Sequence, residues 1–180
     1  MEAVHLDLVD AEVIEDATID ARQLAAQIGR PDVLGNGFVE EPLPADLNER
    51  VLAPDDSNEC AREIQKFMAD NSIAPFSARM LRGDLGSAAT PYIRDSAGRI
   101  VACAHAYMPH NRYSAHEKTA WVGLVAVAEQ QRGRRLGSRI NARAICLAIQ
   151  TQGANAIYEL VASDNDPSRR MVESCGLRLV

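Results

Sequence analysis

The spacing of apolar and polar positions predicts most of the elements of this chain. Val4, Leu6 and Leu8 alternate with His5 and Asp7, the period-two pattern of a half-buried strand. Over residues 11–28 the period changes. Val13, Ala17, Ala21, Leu24 and Ile28 recur at steps of three and four, and Gly29 and Pro31 close the expected helix. Residues 30–57 hold four of the eight prolines, together with Gly35, Asn36, Gly37 and scattered acidic residues, and read as a long loop. A second helix is expected from Ser57 or Asn58, as N-cap, through Ile64, Phe67 and Met68 to about Ala69.

From Ala88 the period is that of strands. ATPYIRD, a turn at Ser96, Ala97 and Gly98, and RIVACAHAYM read as a hairpin, and KTAWVGLVAVA as a further strand ending at Glu129. Leu136, Ile140, Ala144 and Leu147 then form a helical stripe, with Gly153 at its C-terminal end. AIYELVA reads as a short buried strand, and Asp166 as an N-cap with Pro167 at the first position of a last helix reaching about Cys175. The expected class is α/β, with a mixed, partly antiparallel central sheet flanked by helices and a parallel βαβ crossover in the C-terminal part.

Composition narrows the function classes. A chain of 180 residues, 47% apolar, can bury a core without metal or disulfide staples, so residues 1–180 are expected to form a single domain. The longest apolar run, residues 120–128, is far short of the roughly 20 residues that span a bilayer, and the start MEAVHLDLVD lacks a signal-peptide pattern. A cytoplasmic location without membrane association is the expectation. Cys60, Cys103, Cys146 and Cys175 are far apart, with no ligand spacing, and read as reduced thiols rather than a metal site. The net charge of −6 conceals a split, because residues 1–57 carry fourteen Asp or Glu against three Arg, and residues 58–180 eleven against sixteen Lys or Arg. An acidic N-terminal part thus precedes a basic core.

The informative stretch is the turn after the long strand, where Gln130, Arg132, Gly133, Arg134, Arg135, Gly137 and Ser138 lead into a helix. Unpaired N–H groups and the dipole at a helix N-terminus suit a phosphate or pyrophosphate, and guanidinium forks match its oxygens. The turn lacks both GxxxxGK[ST] and GxGxxG. Nucleic acid is disfavoured, because the first third is acidic and no aromatic platform accompanies the arginines.

The stretch resembles the acyl-CoA-binding segment of the GNAT-type N-acetyltransferase superfamily, Gln/Arg-x-x-Gly-x-Gly/Ala after a strand, with Gln130 and Gly133 in register and Gly137 just beyond. Arg135 stands where that family has Gly or Ala. A second family element, an Asn after the next strand and then a helix ending in Gly-Phe, is matched by Asn165 and by Gly176 with Leu177. The resemblance covers residues 88–177.

What the resemblance implies is an acetyl-CoA-dependent N-acetyltransferase, with acetyl-CoA as co-substrate and no metal. The donor would lie between the pre-turn strand, at Leu124, Val125, Ala126 and Val127, and the next parallel strand. Its pyrophosphate would rest on Arg132, Gly133, Arg134, Arg135, Leu136, Gly137 and Ser138, with Asn165 and Ser168 completing the site. A base is needed to free the amine; the candidates are Glu117, which can share a face with Trp121 and Gly123, and His116, His110 and His105. The family's thiolate-protonating Tyr is replaced by Val172, leaving Ser168, Ser174, Cys175 or water. The chain stops four residues after Gly176, where the family adds further strands. A second subunit supplying the strand, a shortened ending or a longer polypeptide each accounts for this, and a homodimer is the expectation. The expected acceptor is a primary amine of a small molecule or peptide. A cationic one would suit the acidic residues Glu40, Glu41, Asp46, Glu49, Asp55 and Asp56. The alternative is a catalytically inactive acyl-CoA-binding or interaction module.

Overall fold

The computed structural model describes residues 19–20, 42–53, 55–84, 87–162 and 164–177. The strand expected at Val4, Leu6 and Leu8 lies outside them. Their sheet has six strands: β1 (Ile19–Asp20), β2 (Leu47–Leu52), β3 (Ala88–Asp95), β4 (Ile100–Tyr107), β5 (Thr119–Val127) and β6 (Ala156–Tyr158). The helices are α1 (Asn58–Asp70), α2 (Ala78–Leu81), α3 (Leu136–Gln150) and α4 (Asp166–Ser174). Strand order is β1-β6-β5-β4-β3-β2, with β5 and β6 parallel and the other neighbours antiparallel. The expected mixed sheet and parallel crossover are both present.

Alternation along the strands gives the sheet two buried faces. Ala102, Ala104 and Ala106 of β4 pack with Ile140, Ile145 and Ala148 of α3, whereas Cys103 packs with Ile64 and Met68 of α1 on the other face. Helix α1 begins as its sequence dictates, with the Ser57 hydroxyl accepting from the Cys60 N–H at 3.4 Å. Ala61, Ile64 and Met68 are its buried stripe, and burying side chains such as Ile64 and Met68 contributes roughly 2 kcal/mol each.

Four expectations change. Residues 30–57 are not loop throughout, because β2 pairs with β3 from Leu47↔Asp95 to Leu52↔Thr90. Its inward alternation is broken by a carboxylate: Glu49 faces α3, where its Oε2 accepts from Arg139 Nε at 2.9 Å and its Oε1 is ion-paired with Arg143, 3.1 Å from Nε. Within the helix expected over residues 11–28, Ile19–Asp20 is a strand pairing with Ile157 and Ala156. The free edge of β6 offers ladder partners there that a helix would leave unused. The strand AIYELVA ladders only over Ala156–Tyr158, because β5 pairs with β6 no further than Trp121↔Tyr158. The cap of α4 is Asn165 rather than Asp166, its Oδ1 accepting from the Ser168 N–H at 3.1 Å.

Candidate active site

Beyond Trp121 the two parallel strands part, and β5 bends. Leu124 takes a left-handed φ of 52°, and the β4 register shifts from Cys103↔Ala126 to His105↔Gly123. This is a β-bulge, which turns consecutive residues to one side and bends the strand. Its effect on phase is visible in the packing: Ala120 and Val122 face α3 before the bulge, Val125 and Val127 after it.

The strand runs into a short 3-10 turn at Glu129–Gln131 and then the glycine turn. Gly133 has φ 79° with nothing within 4 Å of the place a Cβ would occupy, so the backbone there is open to a ligand. Arg135 is the N-cap of α3 at φ 61°, the left-handed region where Gly costs least, and its own side chain makes no cap bond. Here a non-glycine residue holds a backbone shape for which glycine is better suited.

Between β5, this turn and α4 lies a cleft of about 570 Å³. It is lined by Val125, Ala126, Val127, Arg132, Gly133, Arg135, Leu136, Gly137, Ser138, Asn165 and Ser168, all expected from sequence to hold the donor. Two residues of that set do not line it. Leu124 packs on the α1 side, and Arg134 is engaged by Gln131 and by Asp46, whose Oδ1 accepts from Nη2 at 3.1 Å. The Arg134 contact holds the Asp46 carboxyl below its ordinary range. Asn71, Ile73, Gln131, Pro167 and Met171 also line the cleft and were not anticipated. Asn71 and Ile73 lie just past α1, a segment the sequence marks only as a helix end.

Of the described acidic residues of the N-terminal part, Asp46 and Asp55 are exposed, while Asp46, Glu49 and Asp56 each have a protein partner. Asp46 and Glu49 hold arginines of the turn and α3, and Asp56 Oδ2 accepts from the Ala53 N–H at 2.7 Å. The charge split is thus partly closed inside the fold. Glu40 and Glu41 lie outside the described residues.

Glu117 sits at the opposite end of β5, near His110, Lys118 and Gln152 around a separate hollow of about 690 Å³. At about 3.3 Å per residue, it is on the order of 20 Å or more from Val125. The rings of His110 and His116 are 5.7 Å apart at that same end. His105 is elsewhere, fully buried in β4 on the α1 face. Its Nδ1 lies 2.8 Å from Thr90 Oγ1, and that hydroxyl donates to the Leu81 carbonyl at 2.6 Å. With its one proton so used, Thr90 accepts from Nδ1–H, leaving Nε2 as a bare lone pair. Burial pushes the His105 pKa down to about 4.

Of the hydroxyl and thiol candidates, Ser168 lines the cleft. Ser174 Oγ lies 3.0 Å from Ser138 Oγ, and the Cys175 thiol, pushed up to about 12 by burial, donates to the Ser138 carbonyl. Val172 is buried in the core. Behind this seam Glu159 accepts from Asn141 Nδ2 at 2.7 Å, and burial raises its carboxyl to about 8. Glu159 lies in the stretch AIYELVA read from sequence as a buried strand, but it follows the last laddered residue of β6 and is half-buried. Among the described residues, no group of His, Cys, Asp or Glu is placed to hold a metal ion, and no helix is long and apolar enough to cross a membrane.

The profile of the Acetyltransferase (GNAT) family matches residues 57–177, which spans the sheet from α1 through α4. The chain belongs to the GNAT acetyltransferase family. Solved structures share the fold of this GNAT domain. An aminoglycoside acetyltransferase from an uncultured soil metagenomic sample is 16% identical at a TM-score of 0.57, covering 74% of this chain and 90% of its own. Glucosamine-6-phosphate N-acetyltransferase from Arabidopsis thaliana is 14% identical at 0.56, with 74% and 92% covered. An acetyltransferase from Trypanosoma brucei is 20% identical at 0.54, with 75% and 94% covered. No curated protein sequence matches this GNAT chain.

Proposed function

We propose that this chain transfers an acetyl group from acetyl-CoA to a primary amine of a small molecule or peptide. The observation that carries this reading is the parting of β5 from β6 beyond Trp121 and Tyr158, in a gap that continues into the glycine turn. Acetyl-CoA, when bound, supplies the activated acyl group as a thioester. Peptide groups of residues 125–127, which line the cleft and have no β6 ladder partner among the described residues, hydrogen-bond an extended amide-bearing arm as a sheet edge does. One of their N–H groups polarises the thioester carbonyl. Arg132 and the first N–H groups of α3 hold the pyrophosphate, with Gly133 leaving room for close approach.

An alkylammonium has a reference pKa of about 10.4, so the acceptor must lose a proton before it attacks. The cleft wall supplies the Ser168 hydroxyl for the departing thiolate, a role that Val172 cannot take. The test is release of free thiol from acetyl-CoA over a panel of amines, beside a calorimetric titration with CoA. Turnover is expected on at least one amine class. Failure to bind CoA at high micromolar concentration overturns the proposal. CoA binding without turnover on any amine identifies a non-catalytic acyl-CoA-binding module, the reading that the burial of Val172 favours.

A further inference from the structure

Where β5 and β6 part, the last pair is Trp121 and Tyr158, and the face turned away from α3 is aromatic. Trp121 lies 5.8 Å from Phe76 and 5.4 Å from Tyr107 between ring centroids. Phe76 meets Tyr107 at 5.5 Å and His105 at 5.4 Å, both edge-on, and His105 stacks with Tyr107 at 5.8 Å. The Phe76 backbone is tethered to α1, Gln65 Nε2 donating to its carbonyl at 2.7 Å, which leaves the ring free to rotate. The Phe76, Tyr107, Trp121 and Tyr158 rings are only half-buried, and Leu160, two residues past Tyr158, is 70% exposed.

Two further facts say what this surface suits. Among the described residues, no carboxylate bonds to these rings. The phenols of Tyr107 and Tyr158 are raised by burial, and Tyr158 additionally only by Tyr107. Among the described residues a polycation would find no counter-charge at these rings. Beneath the rings, His105 Nε2 is a buried lone pair with no donor among the described residues. A buried acceptor without a partner is destabilising, and a ligand N–H can recover that cost.

We propose that the acceptor is a monoamine carried on an aryl or alkyl body, which stacks on Trp121, Tyr107 and Phe76 and presents its N–H to His105 Nε2 as the Phe76 edge moves aside. This deepens the acetyl-transfer reading of the cleft and rests on it. The rings supply apolar area and a cation–π attraction for a single ammonium. They sit at the vertex of the gap, so a bound amine lies next to the strand segment that would hold the thioester.

Trp121 is the chain's one tryptophan, so its fluorescence reads this surface without any need for turnover. Titration of the intact protein with 2-phenylethylamine is expected to give a saturable change at a Kd at least 10-fold below that for spermidine. Tyr107→Ala is expected to weaken 2-phenylethylamine at least 10-fold, while Tyr107→Phe retains it and both variants keep the parent affinity for CoA by calorimetry. Equal or tighter spermidine binding, no saturable change with 2-phenylethylamine, or an unaffected Tyr107→Ala overturns the proposal. A normal CoA titration in that case leaves the donor reading standing. Amine binding with no CoA binding instead removes the acetyl-transfer reading and leaves the aromatic site.

Discussion

On the side of α3 and α4, the sheet around β5 carries a polar seam running from the half-buried Ser138 and Ser174 to the buried Asn141 and on to Glu159. On the side of α1, it carries Phe76, His105, Tyr107 and Trp121 and no carboxylate among the described contacts. Each side also keeps one titratable group neutral near pH 7: Glu159, raised to about 8, and His105, lowered to about 4, both chiefly by burial. Neither group therefore sets a fixed charge at the vertex between the strands. Charge is concentrated instead at the glycine turn, where Arg132 and Arg135 line the cleft. The contrast suits two substrates of different chemistry, a polyanion gripped by arginines and backbone and an amine received by rings.

The largest effect is expected where the polar side meets the cleft. A Cβ at Gly137 would lie 3.4 Å from Met171 Sδ and 3.6 Å from Val127 Cγ2, so alanine just fits. Valine adds two methyls in the space between β5 and α4 that the donor would occupy. Gly137→Val is expected to weaken CoA by about 100-fold in calorimetry, roughly 2.7 kcal/mol, with the far-UV spectrum and the Trp121 response to amines retained. An unchanged CoA affinity would remove the donor from this cleft.

The two sides were not equally legible in the sequence. The donor side is largely local: a strand, a turn with Gly133 and Gly137, and the start of a helix lie within about twenty consecutive residues, so spacing alone brings together the part of the cleft's lining from Val125 to Ser138, while Asn71 and Ile73 come from beyond α1 and escaped it. The aromatic side is assembled from Phe76 beyond α1, His105 and Tyr107 on β4, and Trp121 on β5, and only sheet register unites them. Trp121 and His105 could be noted singly, but not as neighbours. Glu117 illustrates the reverse limit, because parity along β5 gives a shared face without saying which end of the strand matters. Strand β2 was hidden because Glu49, at an inward position, is charged; its partners Arg139 and Arg143 lie some ninety residues away, beyond any local pattern.

The next effect distinguishes the two neutral groups by the sign of their pH dependence. Glu159 ordinarily titrates near 4.5 and in the folded chain near 8, so between these values the native state holds a proton that the unfolded chain releases. Its contribution is complete below pH 4.5 and is lost as pH rises through 8. His105 works the other way, since its pKa falls from 6.5 to about 4; its contribution is present above pH 6.5 and lost as pH falls. Above pH 6.5 the Glu159 contribution is therefore the one of these two that changes. Glu159→Gln keeps an acceptor for Asn141 Nδ2 and abolishes the titration. In urea unfolding it is expected to exceed the parent by about 2 kcal/mol at pH 9, the gap closing towards pH 5. Parallel stability curves for the two proteins would show that the carboxyl is not held neutral.

The smallest effect is expected on the aromatic side, from a single methyl. A Cβ on Gly123 would lie 2.6 Å from Trp121 Cζ2 and 2.7 Å from Cη2, so the indole lies across the glycine and must move if one is added. Phe76 and Tyr107 hem the indole in, which prevents it from moving without disturbing the other rings. Gly123→Ala is therefore expected to lower kcat/KM for an aryl amine by about 10-fold, roughly 1.4 kcal/mol, and to shift Trp121 emission. Because Gly123 does not line the donor cleft, CoA affinity should stay within about twofold of the parent. Equal losses for both ligands would mean that the two sides of β5 respond as one unit, and the division of labour between them would fail.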